Sequence, residues 1–252
     1  MLDFLFKGKR REALLKAPLS AEQRATVHRN VPYVATLSHE EQVELDGHIQ
    51  IFLAEKRFEG CAGLELTDEI KLTIAAQACI LLLHRETDYY PGVESILVYP
   101  STYIVKNVRQ MLGAVAVEGD QTRVGESWVR GVVVLAWDAV KSGARNPHDG
   151  HNVVFHEFAH QLDADGSGDS FGSRSSYMAF ARALGDEYEE LVRRVVEHLP
   201  TDIDAYGATN PAEFFAVVTE AFFERGAELE ERHPELYAVL REFYRQDPAA
   251  RN

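Results

Sequence analysis

Apolar positions in the first ninety residues recur at helical spacing. Val43, Leu45, Ile49, Phe52 and Leu53 follow it roughly, and Ile70, Ile74, Ala78 and Leu81 follow it closely. Polar residues mark where these helices begin. Ser20 stands three before Gln23, and Ser38 three before Glu41, so each pair predicts a capping box. Thr67 opens a third helix. The period then changes. Ser95–Tyr99 and residues 131–137 are short, rich in β-branched or aromatic side chains, and have Gly or Pro close by, so they predict strands. Val115-Ala116-Val117 is a further candidate strand. Residues 143–150, with Asn146-Pro147 and Asp149-Gly150, read as loop. Helical patterning returns after Asn152. One helix covers residues just beyond it, a second spans about 175–198, a third starts at Asn210-Pro211, and a fourth spans about 234–245. Pro248 ends the ordered pattern.

No repeat, linker or low-complexity tract interrupts the chain. The pattern predicts an α+β fold, mostly helical, in one domain covering residues 1–252. A small mixed sheet is expected between an N-terminal helical half (about 1–90) and a C-terminal half (about 91–247).

Composition narrows the function. A net charge of -14 repels phosphate backbones, which argues against direct nucleic-acid binding. The one basic cluster, Lys7, Lys9, Arg10 and Arg11, reads as a frayed, solvated N-terminus. Two cysteines, Cys61 and Cys79, make no disulfide framework and suit a reducing compartment. The first residues lack an apolar run of signal-peptide length, and the longest apolar stretch, 74–83, is too short to span a bilayer. A cytoplasmic protein without membrane contact is expected.

The candidate chemistry lies in His156-Glu157-Phe158-Ala159-His160. Histidines four apart on a helix sit one turn above each other, so both imidazoles reach one metal ion. Glu157, beside the first, can reach a metal-bound water as general base. Val153, Val154, Phe155, Phe158, Ala159 and Leu162 make this a partly buried helix, where paired histidines need a partner. A hydrogen-bonded core pair would be the plainer alternative.

A catalytic zinc site usually has three protein ligands. A histidine third ligand with metzincin spacing is absent, since position 163 is Asp and position 166 is Gly. Glu213 begins an apolar helix and is the foremost candidate, although Asn210-x-x-Glu213 equally resembles a capping box with Pro in the first helical position. Glu220, seven residues on, shares its helix face and reads as a group that orients a histidine, as the ligand itself, or simply as an exposed carboxylate. Asp163 can orient an imidazole or simply end the helix. Asp204 is a further ligand candidate. Tyr206, in a loop upstream of Glu213, can donate to an oxyanion or merely pack. His28, His39, His48, His84, His148, His198 and His233 show no ligand spacing and read as surface or capping residues; His151 stands close to the helix start.

Taken together, Phe58-Glu59-Gly60, Ile74-Ala75-Ala76-Gln77-Ala78, the stretch from Asn152 to Asp163, and Pro211-Ala212-Glu213-Phe214-Phe215-Ala216-Val217 with Glu220-Ala221-Phe222-Phe223 resemble the Mlc titration factor (MtfA) peptidase family over nearly the whole chain. The C-terminal half, from Tyr206 to Ala216, also resembles the anthrax lethal factor catalytic domain. The resemblance implies a zincin-like helix carrying one zinc per chain, with His156, His160 and Glu213 as ligands. It further implies Glu157 and Tyr206 as catalytic groups and aminopeptidase-like cleavage of a peptide substrate in the cytoplasm. It also implies a possible partner, a glucose-responsive transcriptional repressor like Mlc. A binding protein with a structural or vestigial zinc site is the alternative.

Overall fold

The helices begin where side chains can cap them. The structure, a computed structural model, describes residues 2–102, 131–164 and 173–251, with side chains from Lys7 onward. Four helices form the N-terminal half: α1 (Leu2–Leu15), α2 (Ala21–Asn30), α3 (His39–Glu55) and α4 (Asp68–Ile80). Both expected capping boxes are present, at Ser20 with Gln23 and at Ser38 with Glu41. The Thr67 hydroxyl accepts from the Ile70 N–H and caps α4. Further along come α5 (Trp137–Arg145), α6 (Val153–Ala164), α7 (Arg174–Val196), α8 (Pro211–Glu224), α9 (Gly226–Arg232) and α10 (Pro234–Tyr244).

The sheet joins the two halves. Strands β1 (Arg57–Gly60), β2 (Ser95–Tyr99) and β3 (Val132–Ala136) lie in the order β1-β2-β3. Phe58 pairs with Ile96, and Ile96 with Val133, both in parallel. Parallel neighbours need a long crossover, and α4 is the crossover between β1 and β2. Among the described residues the sheet is therefore parallel rather than mixed. The candidate strand Val115-Ala116-Val117 lies outside the described residues. The chain is a mostly helical α+β fold, as the periodicity predicts.

Helix α4 runs through the core. Every residue from Leu72 to Ile80 is buried, which suits a helix apolar on nearly all sides. It packs against α2 and α3 and also against α5 and α6. Aromatic rings then fix α6 from behind. The Phe158 ring lies 5.6 Å from Phe52 of α3 and 4.7 Å from Tyr90. Phe155 reaches sideways to Phe223 of α8, with 5.3 Å between ring centres. Helix α6 is thus clamped between the N-terminal helices and α8.

Several local expectations give way to tertiary contacts. The basic N-terminus is helical, not frayed. The Arg11 guanidinium grips both oxygens of Glu55 at 2.7 Å and also bonds Asp88, a forked geometry that lysine lacks. Arg57–Gly60 is a strand within a stretch expected to be helical. It is too short to show a period, and its partner lies far along the chain. Trp137 begins α5, which extends to Arg145 and takes up the start of the expected loop. Helix α9 was not anticipated. His48 is buried, bonded to Tyr89 Oη at 2.9 Å and Glu44 at 3.2 Å. Beyond Pro248 the chain stays ordered in a short 3-10 turn, and Arg251 donates to Tyr33 Oη at 2.8 Å. No helix among the described residues is long and apolar enough to cross a membrane.

Candidate metal centre

Helix α6 carries its two roles on two faces. Val154, Phe155, Phe158, Ala159 and Leu162 are buried in the core, whereas His156, Glu157 and His160 are half-buried. One turn apart, the imidazoles converge, with Nε2 of His156 3.3 Å from Nε2 of His160. Helix α8 brings the third group. Pro211 opens it and Asn210 Oδ1 accepts from the Glu213 N–H at 3.0 Å, so the backbone of Glu213 is capped. Its carboxylate turns the other way. Oε2 of Glu213 lies 3.0 Å from His156 Nε2 and 3.5 Å from His160 Nε2. The cap and the ligand readings of this residue are therefore compatible, since they use different atoms.

These three atoms fit a small divalent cation. A tetrahedral ion with bonds of about 2.0–2.1 Å holds its ligand atoms about 3.3–3.4 Å apart. The triangle here has edges of 3.0, 3.3 and 3.5 Å. Two imidazoles and a carboxylate are also the donor types such an ion takes. Among the described residues, His156, His160 and Glu213 form the one His/Cys/Asp/Glu group compact enough to hold a metal.

Comparison with known proteins agrees. The glucose-regulated metallo-peptidase M90 family matches residues 5–245. The chain belongs to this family. An uncharacterized protein of Synechocystis is 44% identical over 95% of this chain and 89% of its own. The Mlc titration factor A of Pectobacterium atrosepticum is 33% identical over 88% of this chain and 85% of its own. That of Yersinia pestis is 32% identical over 92% and 88%. Membership in a metallopeptidase family implies a metal ion, and the triangle above is where this M90 member has room for one.

A neighbouring carboxylate sets the orientation of the first histidine. Glu220 is buried, and its Oε1 accepts from His156 Nδ1 at 2.7 Å. That bond turns the Nε2 of His156 toward Glu213. Burial lowers the His156 pKa, but the hydrogen bonds to Glu213 and Glu220 outweigh it and hold the imidazole up at about 10. Burial likewise raises Glu213, and its bonds to His156 and His160 outweigh that and bring it down to about 2. In the metal-free protein, His156 is therefore an imidazolium at neutral pH. A metal must displace that proton. Binding should release a proton near pH 8, and affinity should climb with pH until about 10, where His156 becomes neutral unaided. Calorimetric titration in buffers of different ionisation enthalpy measures the release; a binding heat independent of buffer would contradict it.

His156 borders a cleft of about 730 Å³. The lining of this cleft includes His156, Glu157, Glu220 and Tyr206, with Asp138, Ala139 and Ser142 of α5. The Tyr206 ring lies 6.0 Å from the His156 ring and is 54% exposed, on a 3-10 turn spanning Ala205–Thr209. Asp204 caps that turn through the Tyr206 N–H and stands 3.8 Å from His151, so it is not gathered with the ligands. Asp163 is exposed and shows no hydrogen bond to either histidine among the described residues. Residues 165–172, which follow α6, lie outside the described residues. Sequence reading missed Asn152 and Glu224, both buried and bonded to one another. An asparagine at a helix start is a capping signal, and an acid one turn beyond Glu220 in an apolar helix is a burial signal.

Proposed function

We propose that the chain is a single-domain, zincin-like zinc peptidase that cleaves residues from the amino ends of peptides. The observation that carries this is the convergence of His156, His160 and Glu213, with His156 and Glu157 bordering an open cleft. His156, His160 and Glu213 hold the zinc. When bound, zinc polarises the scissile carbonyl and acidifies a water toward neutral pH. Glu157 takes the proton of the attacking water and passes it to the leaving amine. Tyr206 donates its phenol proton in a hydrogen bond to the oxygen on which charge gathers. Asp138 and Asp149 also line the cleft, with neither Lys nor Arg among its described lining residues. Such a wall favours a free, positively charged amino terminus.

Purified protein should contain about one zinc per chain. A chelator should abolish peptidase activity, and zinc should restore it. Undiminished activity in protein shown to be free of metal would sink the reading. Replacing Tyr206 by Phe should lower kcat by about a hundredfold while zinc stays bound; an unchanged kcat would confine Tyr206 to packing. The unpaired Cys61 and Cys79 support a cytoplasmic setting.

The names of the Pectobacterium and Yersinia relatives favour a second role, binding a glucose-responsive repressor of the Mlc kind. Purified repressor and this protein should then form a complex in size-exclusion chromatography. The Glu157→Gln variant should form it too, because binding needs no general base. A complex in the absence of any peptidase activity would favour the alternative of a non-catalytic binding protein.

A further inference from the structure

Helix α6 starts from a buried knot that the proposed mechanism does not use. Asn152 is only 2% exposed. Its Oδ1 accepts from the N–H groups of Val154 and Phe155, each at 3.1 Å, and so caps α6. Its own N–H donates to Oε2 of Glu220. Its Nδ2 donates to Oε1 of Glu224 at 3.0 Å. The other oxygen of Glu224 accepts from the Gly150 N–H at 3.1 Å. Helix α5 closes the far side. A Cβ on Gly143 would lie 3.0 Å from both the Asn152 Cα and the His151 carbonyl oxygen. The turn has no room to shift that way.

Glu213, Glu220 and Glu224 all belong to α8, and the last two are one turn apart on the same face. One helix thus supplies the third ligand candidate, the group that orients His156, and the group that holds the turn before it. His156 lies one turn into α6. If the start of α6 slips along α8, both histidines move with it and Glu213 does not. A metal centre tolerates misplacement of only about 0.5 Å. Water cannot easily replace the lost bond, because Asn152 and Glu224 are buried.

We propose that Asn152 and Glu224 are positioning residues for the metal centre: their side-chain hydrogen bond locks the start of α6 against α8 and so sets the distance from His156 to Glu213. The proposal rests on the metal-centre reading above. Asn152 is also a helix cap, and a test must separate the two roles. Aspartate caps a helix as well as asparagine does. Asn152→Asp therefore keeps the cap but sets a carboxylate against Glu224. Glu224→Gln sets one of its amide donors against the donor of Asn152 or Gly150. The double variant Asn152→Asp/Glu224→Gln restores the pair with its polarity reversed. The new carboxamide at position 224 donates to the carboxylate at position 152 and still accepts from Gly150.

The measurement is zinc affinity of the full-length protein by chelator competition, with circular dichroism of each metal-free variant. Each single variant should bind zinc about 10–100-fold more weakly, and the double variant should return to within about threefold of the wild type. Singles that bind like the wild type, or a double as weak as the weaker single, would overturn the proposal. If Asn152→Asp does not fold, Glu224→Gln and the double variant decide the matter on the same terms. A wild type that binds no zinc overturns the metal-centre reading and this proposal with it; a zinc-binding wild type with unchanged singles overturns only the positioning role.

Discussion

Glu157→Gln should keep about one zinc per chain and lose about a hundredfold to ten-thousandfold in kcat. Glutamine has nearly the same shape but cannot accept a proton from water. Glu157 is not among the three groups whose ligand atoms converge, so its charge is not needed to hold the metal. It does line the cleft that His156 borders. Substrate binding should change little, so kcat and kcat/KM should fall together. Zinc content and circular dichroism on the same sample separate lost chemistry from lost structure. Full activity in a zinc-loaded variant would remove Glu157 from the mechanism.

The second large effect should come from Glu213→Ala. Two histidines alone leave an incomplete ligand set, and zinc content after desalting should fall to roughly a tenth of wild type or less, with activity falling in step. The structure predicts a contrast with Glu220→Ala. Glu220 touches His156 through Nδ1, on the side away from the other two ligand atoms. Its loss should weaken zinc by about 10–100-fold without abolishing stoichiometric loading at high zinc. Elemental analysis of both variants beside the wild type tests the order. Zinc retained undiminished in Glu213→Ala would hand the third position to another residue, and Glu220 would be the first to examine.

Much of this site can be read along the chain. The spacing of His156 and His160, with apolar residues on the opposite face, needs only the period of a helix to place both imidazoles together. The capping boxes at Ser20 and Ser38 involve residues three apart and form as read. Glu213 shows where local reading stops. The pattern from Asn210 to Glu213 signals a cap, and the backbone obeys that signal. The direction of the carboxylate depends on α6 lying across from it, which no local pattern states. It is the resemblance of residues 206–216 to the anthrax lethal factor catalytic domain that points to Glu213, because a resemblance carries over a site assembled in three dimensions, which a local pattern does not.

The remaining features come from contacts between residues far apart. Arg11 reads as part of a solvated tail until α3 and Asp88 are placed beside it. Arg57–Gly60 has no identity as a strand until β2 lies alongside. Glu220 reads equally well as an exposed acid, yet it and Glu224 are both buried against the turn before His156. The sequence by itself determined where the helices capped by Ser20, Ser38 and Thr67 start, which faces are apolar, and that two histidines and a glutamate share one turn of α6. Those are properties of neighbours within a few residues, set by hydrogen bonds and side-chain spacing inside one element. Only the tertiary structure decided which carboxylates reach those histidines and which hold the helix in place. The energy of such contacts depends on burial and on a partner, and both exist only once α6 and α8 have packed.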